Sequence, residues 1–440
     1  MSENPIAAVV MAAGLGTRMR SAVPKHLHPV LGRRLVDWVL LAAEEAGAEP
    51  IVVVAAPTTR DGFDGYEVAV QETPLGTGDA VRASRAALEG RTENVLVLSG
   101  DALLLTADML RDLVQAHLAS GAAATVLAIE YDDARDYGRL VRRPDGMLEK
   151  IVEARDATPD ELALREANSS IYVFRSDRLW PTLDRIEAHN AQGELYLTDA
   201  VELLVSEGEM VGVHLAPEPF EAGVNTRAEL ADAAAVLRDR INRRHMLAGV
   251  TIVDPASTWI DPEVEIDADV VIHPFVVIRG ASRIETGAEI LPQSVIVDAR
   301  VASGASVGPF CYLRPGTALD QDSKAGTFVE IKNSTIGPRT KVPHLSYIGD
   351  AEIGADTNIG AGAITANFAH RPGQPKGRTT IGENVRTGIH NAFVAPVEVG
   401  DGAWVAAGST ITKDVPAGAL AVARTRQENK EGYAARQRND

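Results

Sequence analysis

Hydrophobic and polar positions change period along the chain. In the first half, apolar runs at Ile6 to Met11, Ile51 to Ala55, Val95 to Leu98 and Ala124 to Ile129 alternate with segments of helical spacing. Short β-rich runs separated by helices predict a mostly parallel α/β sheet. From Ala228 to Ala248, apolar Leu230, Ala234, Leu237 and Ile241 recur at helical spacing with Arg and Asp between them, which predicts one long connecting helix. Beyond it Ile260, Ile266, Ile272, Ile278, Ile284, Ile290 and Ile296 stand six residues apart without a break. After a slip of one residue the register resumes at Val301, Val307, Leu313 and Leu319, and later at Ile381, Phe393, Val399, Val405 and Ile411. A period of six excludes an α-helix. With glycines and small residues between, it predicts a parallel β-helix whose short strands stack around one continuous core.

Length and charge narrow the picture. The chain has 440 residues, 45% of them hydrophobic, enough for ordinary globular cores in two or three domains. A net charge of -18 argues against non-specific binding to nucleic acid or an anionic membrane, since both require a cationic face. Any phosphate site must therefore be local, and the candidates are Arg18, Arg20 and Lys25 early in the chain and Arg424, Arg426 and Lys430 in the tail. The one cysteine, Cys311, excludes an internal disulfide framework and fits a reducing, cytoplasmic location. The apolar run from Ile6 to Ala13 is too short to span a bilayer and follows Glu3 rather than a basic segment, so it reads as a buried first strand.

Directly after that strand, Ala12-Ala13-Gly14-Leu15-Gly16-Thr17-Arg18 offers glycines for close backbone approach and successive amides that can cradle a phosphate. Taken alone, the segment can also serve as a mere strand-to-helix turn. A dinucleotide fingerprint would want glycine where Met19 stands, and no GKS or GKT P-loop occurs. The context adds Pro24-Lys25, Gln71, Leu75-Gly76-Thr77-Gly78, Ser99-Gly100-Asp101, Tyr137-Gly138, Ile151-Val152-Glu153, Asn168 and Gly223-Val224-Asn225, in that order. Together with the six-residue repeat, these motifs resemble the bifunctional N-acetylglucosamine-1-phosphate uridylyltransferase/glucosamine-1-phosphate acetyltransferase family over nearly the whole chain.

The resemblance implies a Rossmann-like nucleotidyltransferase, doubly wound with a mostly parallel sheet, over residues 1–227. A linker helix over 228–249 would join it to a left-handed parallel β-helix acetyltransferase of hexapeptide repeats over 250–440. It further implies that Asp101 and Asn225 hold Mg²⁺ and that Arg18 and Lys25 neutralise the triphosphate of UTP as pyrophosphate leaves. Ala12, Ala13, Gly14, Gly16, Lys25, Gln71, Gly76 and Thr77 would form the nucleotide site, and Gly138, Glu153, Asn168 and Asn225 the site for N-acetylglucosamine 1-phosphate. These roles suit the chemistry, since phosphoryl-type transfer needs positioning and charge neutralisation, and Mg²⁺ accepts few protein oxygens alongside phosphate and water. Gln71 offers both a donor and an acceptor to the edge of uracil.

In the repeat region, Leu313-Arg-Pro-Gly316, Val329-Glu-Ile-Lys332 and Pro343-His-Leu-Ser-Tyr-Ile-Gly349 introduce charged and aromatic residues that a solenoid core does not require. His344 is open to three readings: a structural histidine, a metal ligand at a subunit interface, or a base. No histidine triplet at ligand spacing supports the metal. By resemblance, His344 takes a proton from the amine of glucosamine 1-phosphate as it attacks acetyl-CoA, a role that a near-neutral pKa suits. Arg314, Lys332, Tyr347 and Asn358 would bind that sugar phosphate. Asn367, Phe368, Lys376 (from a neighbouring chain), Ile389, Ala406, Ala407 and Arg424 would receive acetyl-CoA.

The resemblance also implies a homotrimer with acetyl-transfer sites between subunits. Departures from the family pattern are a shortened segment between Val54 and Glu67, Asp79 in place of histidine, Ala102 in place of proline, Asn168-Ser-Ser170 in place of a turn that often carries glycine, Asn367-Phe-Ala-His370 in place of Asn-Tyr-Asp-Gly, and Ile389 in place of serine. One alternative keeps only the nucleotidyltransferase, with the β-helix as an oligomerisation or regulatory module. Another makes the chain a binding scaffold descended from such enzymes.

Overall fold

The computed structural model describes residues 6–438, apart from Leu15, Arg135, Ala191, Pro219 and 369–372. Leu15 of the glycine loop, and Ala369 and His370 of the Asn367 segment, therefore lie outside the described residues. The chain divides into two units, Met1–Val236 and Leu237–Asp440. The division falls inside a helix that runs from Arg227 to Leu247.

In the first unit the apolar runs become strands of a nine-stranded sheet: β1 (Ile6–Ala12), β2 (Ala48–Ala55), β3 (Glu67–Val70), β4 (Asn94–Ser99), β5 (Ala124–Glu130), β6 (Arg139–Arg142), β7 (Leu148–Val152), β8 (Glu166–Arg175) and β9 (Val211–Leu215). Every residue of β1 is buried, as expected of a central strand covered on both faces. The order along the sheet is β9-β5-β8-β4-β1-β2-β3, and β6 and β7 form a hairpin attached to β8. β1 pairs in parallel with both β2 and β4, while β8 runs antiparallel to its neighbours β4 and β5. The chain leaves β1 toward β2 and β3 and returns on its other side at β4. This reversal opens a crevice beyond the carboxyl ends of β1 and β4, where ligands of open α/β sheets bind. The core packs Val9, Val97, Tyr172, Phe174, Trp180 and Leu183 together, and each fully buried large side chain of this kind contributes about 1.5–3 kcal/mol.

The second unit realises the six-residue period as a prism. Ile260 pairs with Ile278, and Ile278 with Ile296, so one coil takes 18 residues and three hexapeptides make one turn. The slips shorten a coil: Ile284 pairs with Val301 and Ile336 with Ile353, each 17 residues on. Parallel strands stack into sheets of six, nine, eight and three strands, and inward residues such as Ile260, Ile278, Ile296 and Leu313 are buried. Corners between strands need a left-handed backbone. Asp298, Asp322 and Asn333 suit it, but bulky Phe275, Phe310, Phe328 and Leu345 also take positive φ there. Those four are exposed along one edge, and the rings of Phe310 and Phe328 stack at 5.2 Å. One coil is longer than these: Ile353 to Ile381 takes 28 residues against 17 for Ile336 to Ile353.

Candidate active sites

In the first unit, a cleft of about 410 Å³ opens at the carboxyl ends of β1 and β4, lined among others by Gly14, Gly16, Lys25, Gln71, Gly76, Thr77 and Asp101. Gly16 has φ 60°, and a Cβ there would collide with the Lys25 side chain, so glycine is what lets the loop lie against that lysine. The Lys25 ammonium donates to Oδ2 of Asp101 and, at 3.0 Å, to Oδ1 of Asn225. Ser99 Oγ donates to the other oxygen of Asp101 at 2.5 Å. Burial opposes ionisation of Asp101, but Lys25, His26 and the hydrogen bonds from Lys25 and Ser99 outweigh it and hold the carboxyl below the ordinary aspartate value. His26 is buried beside them. Burial, with a smaller push from Lys25, lowers it to about 4 against the pull of Asp101, so it is neutral at pH 7.

The loop bearing Asn225 is fixed from both sides. Val224 N donates to Asp101 O at 3.1 Å, and Asn225 N donates to Glu229 at 2.6 Å. A Cβ on Gly223 would stand 3.3 Å from Asp101 Oδ1, so the loop lies close over the carboxylate. Arg18 is exposed and lines a separate depression with Thr17, Arg20 and Thr226, adjoining the cleft through Thr17 rather than entering it.

Toward the β6–β7 hairpin, Asn168 N donates to Gly138 O at 2.9 Å, and the Asn168 amide donates to the Tyr172 hydroxyl at 2.8 Å. Gly138 lies against Glu153, where a Cβ would meet Oε2 at 3.4 Å. Burial, with nearby Asp156, Asp199 and Glu194, raises the pKa of Glu153 despite a hydrogen bond from Thr198. Gly138, Glu153 and Asn168 thus lie side by side. Ser170, where the sequence departs from a glycine-bearing turn, has φ 60° at a register shift in β8. Two residues that the sequence did not single out pack against neighbouring Tyr137. Glu221 accepts from the Tyr137 hydroxyl, and Tyr137 stacks on Tyr131 at 5.4 Å.

Gln71 requires a correction. Its Nε2 donates to Gly76 O and to Asp79 Oδ2, each at 3.0 Å. Both amide hydrogens are used, so the expected pairing of donor and acceptor with uracil reduces to an acceptor.

In the second unit, Arg314 and Lys332 stand in one outward column of a sheet whose next coil carries Tyr347 and Gly349. A Cβ on Gly349 would collide with the Tyr347 ring, so glycine leaves room for the tyrosine to lie across the strand. The Tyr347 hydroxyl accepts from Asn367 Nδ2 at 3.5 Å, and Asn367 also donates to Asp350. Asp350, which no sequence motif marks, accepts from Asn333 at 2.6 Å as well. Although burial opposes it, those two amides and the charges of Lys376 and Lys332 keep the Asp350 carboxyl below its usual value. Lys376 lies beside Lys332 of its own chain, and this contact is the largest cause lowering the Lys332 pKa.

His344 is exposed and pairs in register with Thr327. The hydrogen bonds from Gly362 N to His344 O, His390 N to Ala361 O and Gly408 N to Ile389 O set His344, Ala361, Ile389 and Ala407 in one column, with Arg424 packed on Gly408 beyond. Phe368 and Ile389 are exposed. Asn358 stands elsewhere, on the neighbouring sheet between Lys341 and Arg386, so one chain does not bring it to Arg314, Lys332 and Tyr347. Among the described residues no group of three His, Cys, Asp or Glu gathers as a metal site, and no helix is long and apolar enough to cross a membrane.

This architecture defines a nucleotidyltransferase fused to a hexapeptide-repeat transferase. Residues 8–199 match the MobA-like NTP transferase domain, and residues 378–413 match the hexapeptide repeat of succinyl-transferase. A solved UDP-glucose pyrophosphorylase complexed with UDP-glucose aligns with 54% of this chain and 99% of its own at 17% identity, with a TM-score of 0.46. The bifunctional protein GlmU of Streptomyces coelicolor is 47% identical over 461 residues, covering 99% of this chain and 95% of its own length. That of Mycobacterium tuberculosis is 45% identical over 461 residues, covering 98% and 92%. The chain belongs to the bifunctional GlmU family.

Proposed function

We propose that the two units divide two consecutive reactions of UDP-N-acetylglucosamine synthesis, each at the site described for it. The second unit acetylates glucosamine 1-phosphate from acetyl-CoA. The first then joins N-acetylglucosamine 1-phosphate to the uridylyl group of UTP and releases pyrophosphate. One observation carries the bifunctional reading: the 47% identity spans 99% of the chain, so neither unit lacks a counterpart. Both UTP and acetyl-CoA are cytoplasmic substrates, which fits the single cysteine.

In the uridylyl transfer, a phosphate oxygen of the sugar attacks the α-phosphorus of UTP as the bond to pyrophosphate breaks. Gly14 and Gly16 let the backbone approach the triphosphate, and Lys25 neutralises its charge. Asp101 Oδ2 and Asn225 Oδ1 already converge on one positive charge, the Lys25 ammonium. Two oxygens facing one cation fit Mg²⁺, which keeps most of its shell for phosphate and water. When bound, the ion supplies further neutralisation of phosphate charge. Gly138, Glu153 and Asn168 hold the amino-sugar.

In the acetyl transfer, the amine attacks the thioester carbonyl while His344 accepts its proton and passes it to the departing sulfur; the new C–N bond replaces the C–S bond and CoA leaves as the thiol. Arg314, Lys332 and Lys376 concentrate positive charge for the sugar phosphate, with Tyr347 and Asn367 beside them. The column through Ile389, Ala406 and Ala407 to Arg424 receives acetyl-CoA. The separation of Asn358 from this group is met by a homotrimer in which a second copy supplies it. The apolar edge of Phe275, Phe310, Phe328 and Leu345, ending next to His344, is the surface for that contact.

Thiol release from acetyl-CoA with glucosamine 1-phosphate, run beside pyrophosphate release from UTP with N-acetylglucosamine 1-phosphate and Mg²⁺, tests the proposal. Both products are expected. Pyrophosphate alone would reduce the second unit to an oligomerisation module, a reading that the exposed Phe368 and Ile389 would then explain.

A further inference from the structure

We infer that Asp79 sets the base specificity of the first unit by fixing which end of the Gln71 amide faces the cleft. The inference rests on reading that cleft as the nucleotide site. An amide can usually turn over and exchange donor for acceptor. Here it cannot do so freely, because Gly76 O and the Asp79 carboxylate both accept, and each takes one Nε2 hydrogen at 3.0 Å. Turning the amide over would set Oε1 against two other oxygens. Gln71 is 6% exposed, so water does not replace those bonds readily.

Asp79 is itself held. Arg82 donates to its other oxygen at 2.7 Å, and the helix beginning at Thr77 carries both residues. The helix is anchored in turn by Gly78 N to Leu195 O at 2.8 Å and by Leu197 N to Thr77 Oγ1 at 2.9 Å. The acceptor is thereby built into the cleft wall rather than left to a mobile side chain.

Gln71 lines the cleft, and with Nε2 engaged its Oε1 is left as the fixed acceptor. A pyrimidine with a ring N–H, as in uracil or thymine, can donate to it. Cytosine presents a lone pair at the same ring position, so two acceptors would face each other at the buried Gln71 amide. Sites built around one fixed hydrogen bond discriminate strongly against a partner that cannot complete it. Asp79 is a positioning residue here, acting through Gln71 without touching the nucleotide.

The test compares kcat/KM for UTP and CTP in pyrophosphate release by the full-length wild type, Asp79→Ala and Asp79→Asn. The wild type should favour UTP. Asp79→Ala frees one amide hydrogen, and the UTP-to-CTP ratio should fall by about tenfold, chiefly through KM for UTP. Asp79→Asn keeps an acceptor oxygen and should retain the ratio. A ratio unchanged in Asp79→Ala would overturn the inference, even if both rates fell together, as a purely structural role would make them. Equal loss of the ratio in Asp79→Asn would assign the effect to charge and also overturn it, as would a wild type that uses CTP as well as UTP. Pyrophosphate release from neither nucleotide would instead overturn the reading of the cleft, and the inference with it.

Discussion

The Lys25 ammonium meets the Asp101 carboxylate across 76 positions of sequence, and both side chains are almost wholly buried. Lys25 holds the Asp101 carboxyl in its charged form against the opposing effect of burial. Under the proposed uridylyl transfer, nucleotide binding would separate this pair, with the ammonium turning to phosphate and the carboxylate to a metal ion. Asp101→Ala leaves a buried lysine without its partner. Pyrophosphate release should fall by more than about 100-fold, while thiol release from acetyl-CoA stays near the wild-type rate. Parallel assays on one preparation check this, and loss of both activities would count against separate sites.

His344→Ala should show the reverse. Removal of a proton acceptor typically costs about 10²–10⁴-fold, so thiol release should fall by that order with pyrophosphate release retained.

Gly16→Ala places a methyl group against Lys25 on a backbone with φ 60°. The left-handed strain is about 1–2 kcal/mol, and relieving the collision must displace Lys25. Pyrophosphate release should drop at least about tenfold with little change in acetyl transfer, and steady-state kinetics on both reactions distinguishes this from a general loss of folded protein.

Phe328→Glu puts a charge on the apolar edge, beside the stacked ring of Phe310. Size-exclusion light scattering should show the trimer replaced by monomer. Thiol release should fall with it, because Asn358 would no longer reach a neighbouring site, whereas pyrophosphate release should persist. A wild-type monomer at micromolar concentration would refute the trimer itself.

His117 gives stability a pH dependence. Its ring is bonded to Thr125 Oγ1 at 2.9 Å and to Asn94 Oδ1 at 3.1 Å, and burial, with a smaller effect from Arg175, lowers its pKa from 6.5 to about 4. The folded value lies below the unfolded one, so the unfolded chain binds the proton more readily as pH falls below 6.5. The contribution is complete above that pH and is lost on descent toward 4. Between pH 7 and 5 the loss should be on the order of 1 kcal/mol. Urea unfolding followed by tryptophan fluorescence should show a shallower fall in His117→Gln.

Legibility from sequence differs between the two units for a physical reason. The six-residue period is a direct image of the prism, since each inward residue repeats the same contact one strand later. Spacing alone is therefore enough to set Ile260, Ile278 and Ile296 side by side, as their pairing bears out. The glycine loop, Lys25 and Asp101 are legible as motifs. What stays hidden depends on relations between side chains distant in sequence. Asp350 looks like an ordinary corner aspartate until Asn333, Asn367 and the lysines are seen around it. Resemblance groups Asn358 with Arg314, yet a shift of a few positions around a coil moves a residue to another face. The orientation of Gln71 is not legible either, because it depends on which acceptors the fold brings to Nε2.

The coil-on-coil pairing of the second unit also bears on how the molecule would yield to load. Strand pairing in this unit runs from each coil to the coils above and below it, ending with Leu420–Ala421 on Trp404–Val405. Tension applied at that last strand would peel the prism coil by coil, producing a series of small, evenly spaced ruptures. The sheet of the first unit, clamped around a central β1 that bonds on both sides, would resist until it failed in one larger event.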